Sequence, residues 1–235
     1  HTKKTRRILS SLNVIGATQI HPVLLAMLQK QFSANVLEDT VRALETVLVR
    51  YQLVGTGRPG TLERLGAKVA KRITDGDITS AAQIRAEYKE IMTSDEEFTS
   101  AFSRFSEPTA SKCHYLLTRL EAHEKGKTGE GDGHVPVDTT VEHILPKRPG
   151  KEWELVTQND PDLLDDCLHR LGNLCLLSKD RLGNTGFDAK AKEYAKSSYE
   201  ITKAVAKFDS FSRELVDTRQ KAMAKSAKAI WRFPD

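Results

Sequence analysis

The segment from residue 139 to 153, TTVEHILPKRPGKEW, places a glutamate and a histidine side by side in a β-branched run that a proline ends. Neutral imidazole accepts a proton near pH 7, which makes His143 a candidate general base. Neighbouring side chains on a strand point to opposite faces, so Glu142 and His143 cannot form a two-toothed clamp. The sequence therefore predicts a separate task for each of these two residues.

Four polar residues farther along the chain offer chemistry of a second kind. Carboxylate and amide oxygens suit a hard cation such as Mg²⁺, which takes one or two protein ligands and keeps most of its waters. Asp180 and Asn184 provide such oxygens, as does Glu142. Lys190 lies on the first turn of a predicted helix, where its ammonium group could neutralise a phosphate. The fourth residue, Asn173, stands beside a glycine just before an apolar run.

Each candidate also has an ordinary structural interpretation. A single histidine in a strand is more often a hydrogen-bonded structural residue. Asn173 after Gly172, and Asn184 within GNTG, are typical of turns. Lys190 also fits a solvated helix face, and His169 fits a packing or capping residue as well as a phosphate contact. Taken singly, none of these residues indicates a site.

The elements that must position these residues change in character after residue 125. Up to that point, apolar residues recur at helical spacing and predict six or seven amphipathic helices whose apolar stripes form a core. The Gly-rich stretch that follows predicts a flexible linker. Beyond it, TTVEHIL and GNLCLLS predict strands, PDLLDDCLHRL and FDAKAKEYAKS predict helices, and the remainder predicts Lys-rich helices.

The composition suits a globular protein and excludes several classes. The chain has 235 residues, of which 39% are hydrophobic and 29% charged, and no apolar run approaches the roughly 18 residues of a membrane span. Three cysteines without a C-x-x-C motif argue against a disulfide framework and a thiolate zinc site, and fit a cytoplasmic protein. The net charge is +4, and the excess lies from Phe187 onward. Such a basic tail fits either a nucleic-acid footprint or a solvated helix face.

Three motifs in order, EHILP, LGNLCLLS and NTGFDAKAKEY, resemble the HNH nuclease superfamily, which has a ββα-metal fold. They are most similar to the branch marked by H-x-x-P, here His143 to Pro146, followed by G-N-L-x-L-L and N-x-x-F-x-x-K. That branch forms the C-terminal nuclease of GmrSD-type modification-dependent restriction enzymes and of SspE-type anti-phage proteins. The motifs cover about residues 140 to 199, and the helices before them resemble, more weakly, the helical region that precedes the nuclease.

The element pattern and the resemblance together predict a mainly α chain with a small α+β element. We expect a helical bundle as a domain at residues 1–125, a Gly-rich linker at 126–139 and a ββα-metal HNH module at 140–199. Basic C-terminal helices at 200–235 are expected to pack on the nuclease or on the helical domain. The resemblance also implies an N-terminal nucleotide-hydrolysing sensor domain in the same longer protein, outside this sequence.

The resemblance assigns a role to each candidate. His143 would be the general base that deprotonates the attacking water, and Glu142 would bind the metal ion directly or through water. Asn173 would fix the loop between the strands so that His143 is aimed correctly. Asn184 would take the metal-side position at the start of the helix, and Lys190 would meet a phosphate.

The chain departs from the family pattern in one place. Relatives often carry two asparagines between the G-N-L-x-L-L run and the F-x-x-K, whereas this chain has only Asn184 there. Either Asp180 fills the missing ligand position or Asn184 serves alone, and Asn184 ranks first. The expected metal ligands are therefore Glu142, Asn184 and Asp180.

The function implied is that of a Mg²⁺-dependent endonuclease or nickase, with Mn²⁺ as a substitute, acting on double-stranded DNA in a prokaryotic defence protein. The missing second asparagine keeps an alternative open, in which the fold has lost catalysis and serves as a DNA-binding or interaction module. A further alternative treats residues 1–125 as a helical adaptor that docks a partner domain. No membrane association is expected.

Overall fold

The structure is a computed structural model that describes residues 3–128, 138–178 and 182–233. Helices dominate these ranges, and two short strands pair in an antiparallel sheet, which confirms the predicted fold class. Among the described helices, none is long and apolar enough to cross a membrane.

The α-helices are α1 (Lys3–Val14), α2 (His21–Gln29), α3 (Ala34–Val47), α4 (Pro59–Asp75), α5 (Ala81–Tyr88), α6 (Asp95–Phe102), α7 (Ala110–Thr128), α8 (Glu154–Asn159), α9 (Leu163–Cys167), α10 (Phe187–Ala195), α11 (Glu200–Lys203) and α12 (Arg213–Ile230). The strands are β1 (Thr140–His143) and β2 (Leu174–Leu177). Short 3₁₀ segments lie at Thr18–Ile20, Lys89–Ile91, Lys151–Trp153, Leu171–Asn173 and Ala204–Lys207, and a π-helical segment lies at Leu48–Leu53.

The first of two compact units comprises His1–Phe98 with Trp231–Asp235, and its described part is helical. Its helices bury one apolar face each, as the helical spacing predicted. Local signals fix where they begin. In α5, the Gln83 amide donates to Ser80 Oγ at 3.3 Å and the Ser80 amide donates to Gln83 Oε1 at 3.1 Å. This capping box satisfies amide groups that the helix itself cannot pair.

The second unit, Thr99–Ile230, contains the sheet and the candidate residues. The strands β1 and β2 pair with Glu142 opposite Cys175 and His143 opposite Leu174. The predicted order of strand, long connection, strand, loop and helix is present, and the helix is α10. The core beneath the sheet is apolar and consists of Ile144, Leu145, Trp153, Leu163, Cys167, Cys175, Phe187, Tyr194, Val205, Phe211, Leu215 and Val216.

Helix α12 fastens the backbone that leads into β2. The buried guanidinium of Arg219 donates to the carbonyl oxygens of Gly172, of Leu174 at 3.2 Å and of Ile201 at 2.9 Å. The Gly172 amide donates to Gln220 Oε1 at 3.2 Å. Burial lowers the pKa of Arg219 to about 10, so the group still carries its charge at pH 7. The start of β2 is therefore held from one side by two adjacent residues of a single helix.

Contacts place α7 in the same unit as the sheet. The buried carboxylate of Glu121, on α7, accepts hydrogen bonds from the amides of Glu200 at 2.9 Å and Ile201 at 3.0 Å. It thus caps the start of α11 with a negative charge, the sign that a helix N-terminus favours. The predicted linker at residues 126–139 begins within the last turn of α7, and most of it lies outside the described residues. Those domain ranges stay a prediction.

Candidate active site

His143 is the last residue of β1, and one of its ring nitrogens has no partner in the described part of the chain. Its Nε2 atom is buried and accepts or donates no hydrogen bond there. The ring of His169 lies edge-on to it, with the centroids 6.1 Å apart and an angle of 78° between the planes. A buried polar atom without a partner costs free energy unless a water or a ligand satisfies it. The ring is therefore positioned to meet a small polar group.

The surroundings keep the His143 imidazole neutral. Burial is the largest cause that lowers its pKa, to about 4, and the positive charges of Lys147, His169 and Lys190 act in the same direction. A neutral ring is the form that can accept a proton. An anionic phosphate brought beside it would raise the pKa again, because a negative charge favours the protonated ring.

Asn173 fixes the backbone that directly follows His143. It is fully buried at the turn before β2, where its carbonyl oxygen accepts from the Ile144 amide at 2.8 Å. Its side chain accepts from the Leu145 amide at 2.8 Å and donates to the carbonyl oxygens of Leu145 at 3.2 Å and Leu168 at 3.1 Å. The side-chain amide thus connects the turn before β2 to the backbone that follows β1. Its effect on catalysis stays a prediction.

Glu142 and Lys190 meet inside the unit rather than at its surface. Glu142 is 7% exposed and Lys190 is 0% exposed. The Lys190 Nζ atom lies 3.2 Å from Glu142 Oε1, 2.8 Å from the carbonyl oxygen of His143 and 3.1 Å from that of Ile144. Burial lowers the pKa of Lys190, and the Glu142 carboxylate opposes that shift. Strand alternation thus sends Glu142 inward, to a lysine that comes from α10.

Trp153 connects this buried pair to the turn that carries Asn184. Its ring centroid lies 6.0 Å from Lys190 Nζ, and its Nε1–H donates to the carbonyl oxygens of Asn184 and Thr185, both at 3.3 Å. The Gly186 amide donates to the Glu152 carboxylate, which fastens the same turn to the connection between the strands. The side chain of Asn184 is exposed on this turn.

The structure brings some predicted residues together and leaves others apart. His143, Asn173, Glu142 and Lys190 share one neighbourhood at the end of the sheet. Asn184 joins them through its backbone and Trp153, while its side chain faces outward. The remaining predicted ligand, Asp180, lies outside the described residues.

The two predicted metal ligands that the structure describes, Glu142 and Asn184, are not arranged to bind one ion together. The Glu142 carboxylate is buried against an ammonium group, whereas the Asn184 amide is exposed on a turn. Across residues 3–128, 138–178 and 182–233, no group of three or more His, Cys, Asp and Glu side chains is arranged to hold a metal ion. In this conformation, the described residues therefore do not fit the metal site that the resemblance implies.

A basic edge accompanies the site on the connection after β1. Lys147, Arg148 and Lys151 are all exposed, and Lys147 is close enough to lower the pKa of His143. This connection is the one that Glu152 and Trp153 fasten to the turn before α10. We call Lys147, Arg148 and Lys151 the basic edge. Positive charge next to a candidate general base suits an anionic, phosphate-bearing substrate.

Two structural contributors were not assigned from the sequence. Trp153 stands in a polar stretch, KRPGKEW, where a lone aromatic residue indicates an anchor, and that signal was available. Arg219 lies in a Lys-rich helix among many exposed cations, so its burial left no local signal. Its position depends on contacts across 47 residues of sequence, which only the folded chain reveals.

Comparison with known families agrees with the motifs. A family model described as GmrSD restriction endonucleases, C-terminal domain, matches residues 92–226, which is more than half of the chain. The matched range contains every candidate site residue and both strands. Comparison with curated proteins gave no match. The resemblance drawn from the motifs is thereby confirmed.

Proposed function

Since this chain belongs to the family of C-terminal domains of GmrSD restriction endonucleases, we propose that it is an HNH-type nuclease that hydrolyses phosphodiester bonds of double-stranded DNA. Family membership supports a restriction-type nuclease in general. One observation carries the finer proposal. The buried Nε2 atom of His143 has no partner among the described residues, while Asn173 holds the backbone that follows it through two side-chain hydrogen bonds to Leu145.

His143 is the general base in this proposal. In the tautomer with its proton on Nδ1, Nε2 presents a lone pair to a water molecule. Nε2 takes one proton from that water while the water oxygen forms a bond to phosphorus. The bond from phosphorus to the leaving ester oxygen breaks, and that oxygen is protonated from solvent. His143 then releases its proton to solvent, which restores the neutral ring.

Magnesium is the proposed cofactor, with manganese as a substitute. The exposed amide oxygen of Asn184 is the described ligand most accessible to a hard cation, and Mg²⁺ needs only one or two protein oxygens. Glu142 is held by Lys190 and is not available to the ion in this conformation. The predicted ligands do not come together among the described residues.

The basic edge supports DNA as the substrate. Lys147, Arg148 and Lys151 can lie along a phosphate backbone, since all three are exposed on the connection after β1. Contacts of this kind carry most non-specific affinity for DNA and weaken as salt is added. We therefore propose that the basic edge positions a DNA strand next to His143.

Supercoiled plasmid DNA tests the function directly. The chain is incubated with plasmid in Mg²⁺ or Mn²⁺ and, separately, in EDTA, while binding to a short duplex is measured in parallel. We expect metal-dependent conversion to nicked or linear DNA. Duplex binding without conversion in either metal would instead identify a binding module that has lost catalysis.

A further inference from the structure

The buried charges of Lys190 and Glu142 lie next to the candidate general base, and every ammonium hydrogen of Lys190 has an acceptor. An ammonium group has three hydrogens to donate. Lys190 Nζ has three acceptors within 3.2 Å, namely Glu142 Oε1 and the carbonyl oxygens of His143 and Ile144. The lysine side chain is 0% exposed. Lys190 therefore has no hydrogen left to donate to a substrate phosphate. Its ammonium group is also too deeply buried for a phosphate to reach it.

We propose that Lys190 and Glu142 form a positioning pair that aims His143, and that neither touches phosphate or metal. The inference rests on the proposed function, in which His143 is the base. Two of the three acceptors are backbone oxygens of His143 itself and of the next residue. The ammonium group therefore holds the strand end at the point where the imidazole departs from it. A misplacement of about 1 Å at such a point can cost about 10²-fold in rate.

The same ammonium group also lies over the ring of Trp153. Its Nζ lies 6.0 Å from the ring centroid of Trp153, whose Nε1–H holds the carbonyl oxygens of Asn184 and Thr185. Cations over an aromatic face are attracted to it, most strongly by tryptophan. Lys190 thus connects the end of β1, through Trp153, to the turn before α10. Glu142 supplies the charge that allows this cation to be buried.

Stability measurements test the pair without any need for activity. The variants are Lys190→Met, Glu142→Gln and the double variant, with Lys192→Met as a matched control on the exposed side of α10. Lys190→Met leaves a buried carboxylate without its partner, so we expect its Tm to fall by about 10 °C. The double variant removes both charges and should recover at least half of that loss. Lys192→Met should leave the Tm unchanged.

Kinetics and spectroscopy distinguish positioning from mere support of the fold. At a temperature where the double variant is folded, we expect its kcat to fall at least tenfold while its KM for DNA stays within twofold. The Cε1 resonance of the His143 ring should shift in the double variant and stay in place in Lys192→Met. If the pair only supported the fold, its substitution would change the Tm but leave the kcat and the His143 Cε1 resonance as in the wild type.

Three further results would overturn the proposal. A raised KM with a shallower salt dependence in Lys190→Met would show a phosphate contact. A higher Mn²⁺ requirement in Glu142→Gln, or weaker paramagnetic broadening by Mn²⁺ alone, would show a metal ligand. Tm losses that simply add in the double variant would show that the two residues act independently. If the wild type cleaves no DNA, the proposed function fails, whereas the Tm coupling and the His143 resonance still decide the pair.

Discussion

Asn173 and Leu145 are joined by two hydrogen bonds that run in opposite directions. The Leu145 amide donates to Asn173 Oδ1 at 2.8 Å, and Asn173 Nδ2 donates to the Leu145 carbonyl oxygen at 3.2 Å. The Asn173 side chain thus pairs with the backbone of Leu145 beyond the end of β1, as a neighbouring strand would. His143 stands two residues before Leu145, so this bridge fixes the direction in which the strand leaves the site.

Replacing Asn173 with alanine should damage both stability and cleavage. The change leaves the buried backbone groups of Leu145 without partners, which costs about 1–3 kcal/mol for each group left unpaired, and removes a half-buried bond to Leu168. Urea unfolding measures the free-energy loss, and plasmid cleavage at low temperature measures the rate. Asn159→Ala, at an exposed position at the end of α8, is the control and should change neither. Equal stability of the two variants would contradict the bridging role of Asn173.

The sequence was sufficient to predict the fold class and the order of elements around the site. Two short β-branched or apolar runs and a following helix are local patterns, so TTVEHIL, GNLCLLS and FDAKAKEYAKS gave β1, β2 and α10. Strand alternation also places Glu142 and His143 on opposite faces of β1. These features depend on neighbours within a few residues.

The partners of the polar residues could not be predicted in the same way. Lys190 was expected to meet a phosphate, yet its ammonium lies under β1, 48 residues away in sequence from Glu142. The register of α10 against the sheet decides this contact, and no local pattern encodes that register. The same holds for Gly172, whose close approach to α12 depends on the packing of Arg219 and Gln220.

Gly172 should not tolerate a side chain. A Cβ atom at this position would clash with the carbonyl oxygen of Val216 on α12, so Gly172→Ala must push the helix away from the start of β2. We expect a loss of about 1–3 kcal/mol in the free energy of unfolding. Gly126→Ala is the control, because a Cβ there meets open space near the end of α7 and should stabilise the helix slightly. A Gly172→Ala variant as stable as that control would contradict the packing described.

Neutralising the basic edge should weaken DNA binding in a salt-dependent way. The triple variant Lys147→Gln, Arg148→Gln and Lys151→Gln removes three exposed charges. If each contacts one phosphate, the slope of log Kd against log salt should fall by about 0.9 per residue. Fluorescence anisotropy with a labelled duplex at several salt concentrations measures this slope. Lys221→Gln, an exposed site on α12, serves as the control; an unchanged slope in the triple variant would exclude the basic edge from the DNA interface.

Acid should weaken the second unit partly through Asp160. Arg213 donates to both Asp160 oxygens at 2.8 Å and to Asp166 at 2.7 Å. The Arg213 hydrogen bonds hold the pKa of Asp160 below its usual 3.8. A carboxyl whose folded pKa is depressed stabilises the fold above the unfolded pKa, and this stabilisation is lost as the pH falls through the folded pKa.

Asp160→Asn should therefore have a lower Tm than the wild type at pH 7, and the gap should close as the pH falls below about 4. Thermal melts followed by circular dichroism from pH 7 to pH 2.5 measure the gap. Asp165→Asn, exposed on the neighbouring helix α9, should match the wild type throughout. A gap that stays constant at every pH would rule out the linkage.

In the proposed function, His143 is the general base of a DNA-cleaving site. Single-turnover cleavage of supercoiled plasmid in Mn²⁺ compares the wild type with His143→Ala and with His21→Ala, an exposed histidine of the first unit. Removing a general base costs about 10²–10⁴-fold in rate. We expect that loss in His143→Ala, at unchanged DNA affinity and fold, and wild-type cleavage in His21→Ala. Equal cleavage by the wild type and His143→Ala would contradict this role of His143.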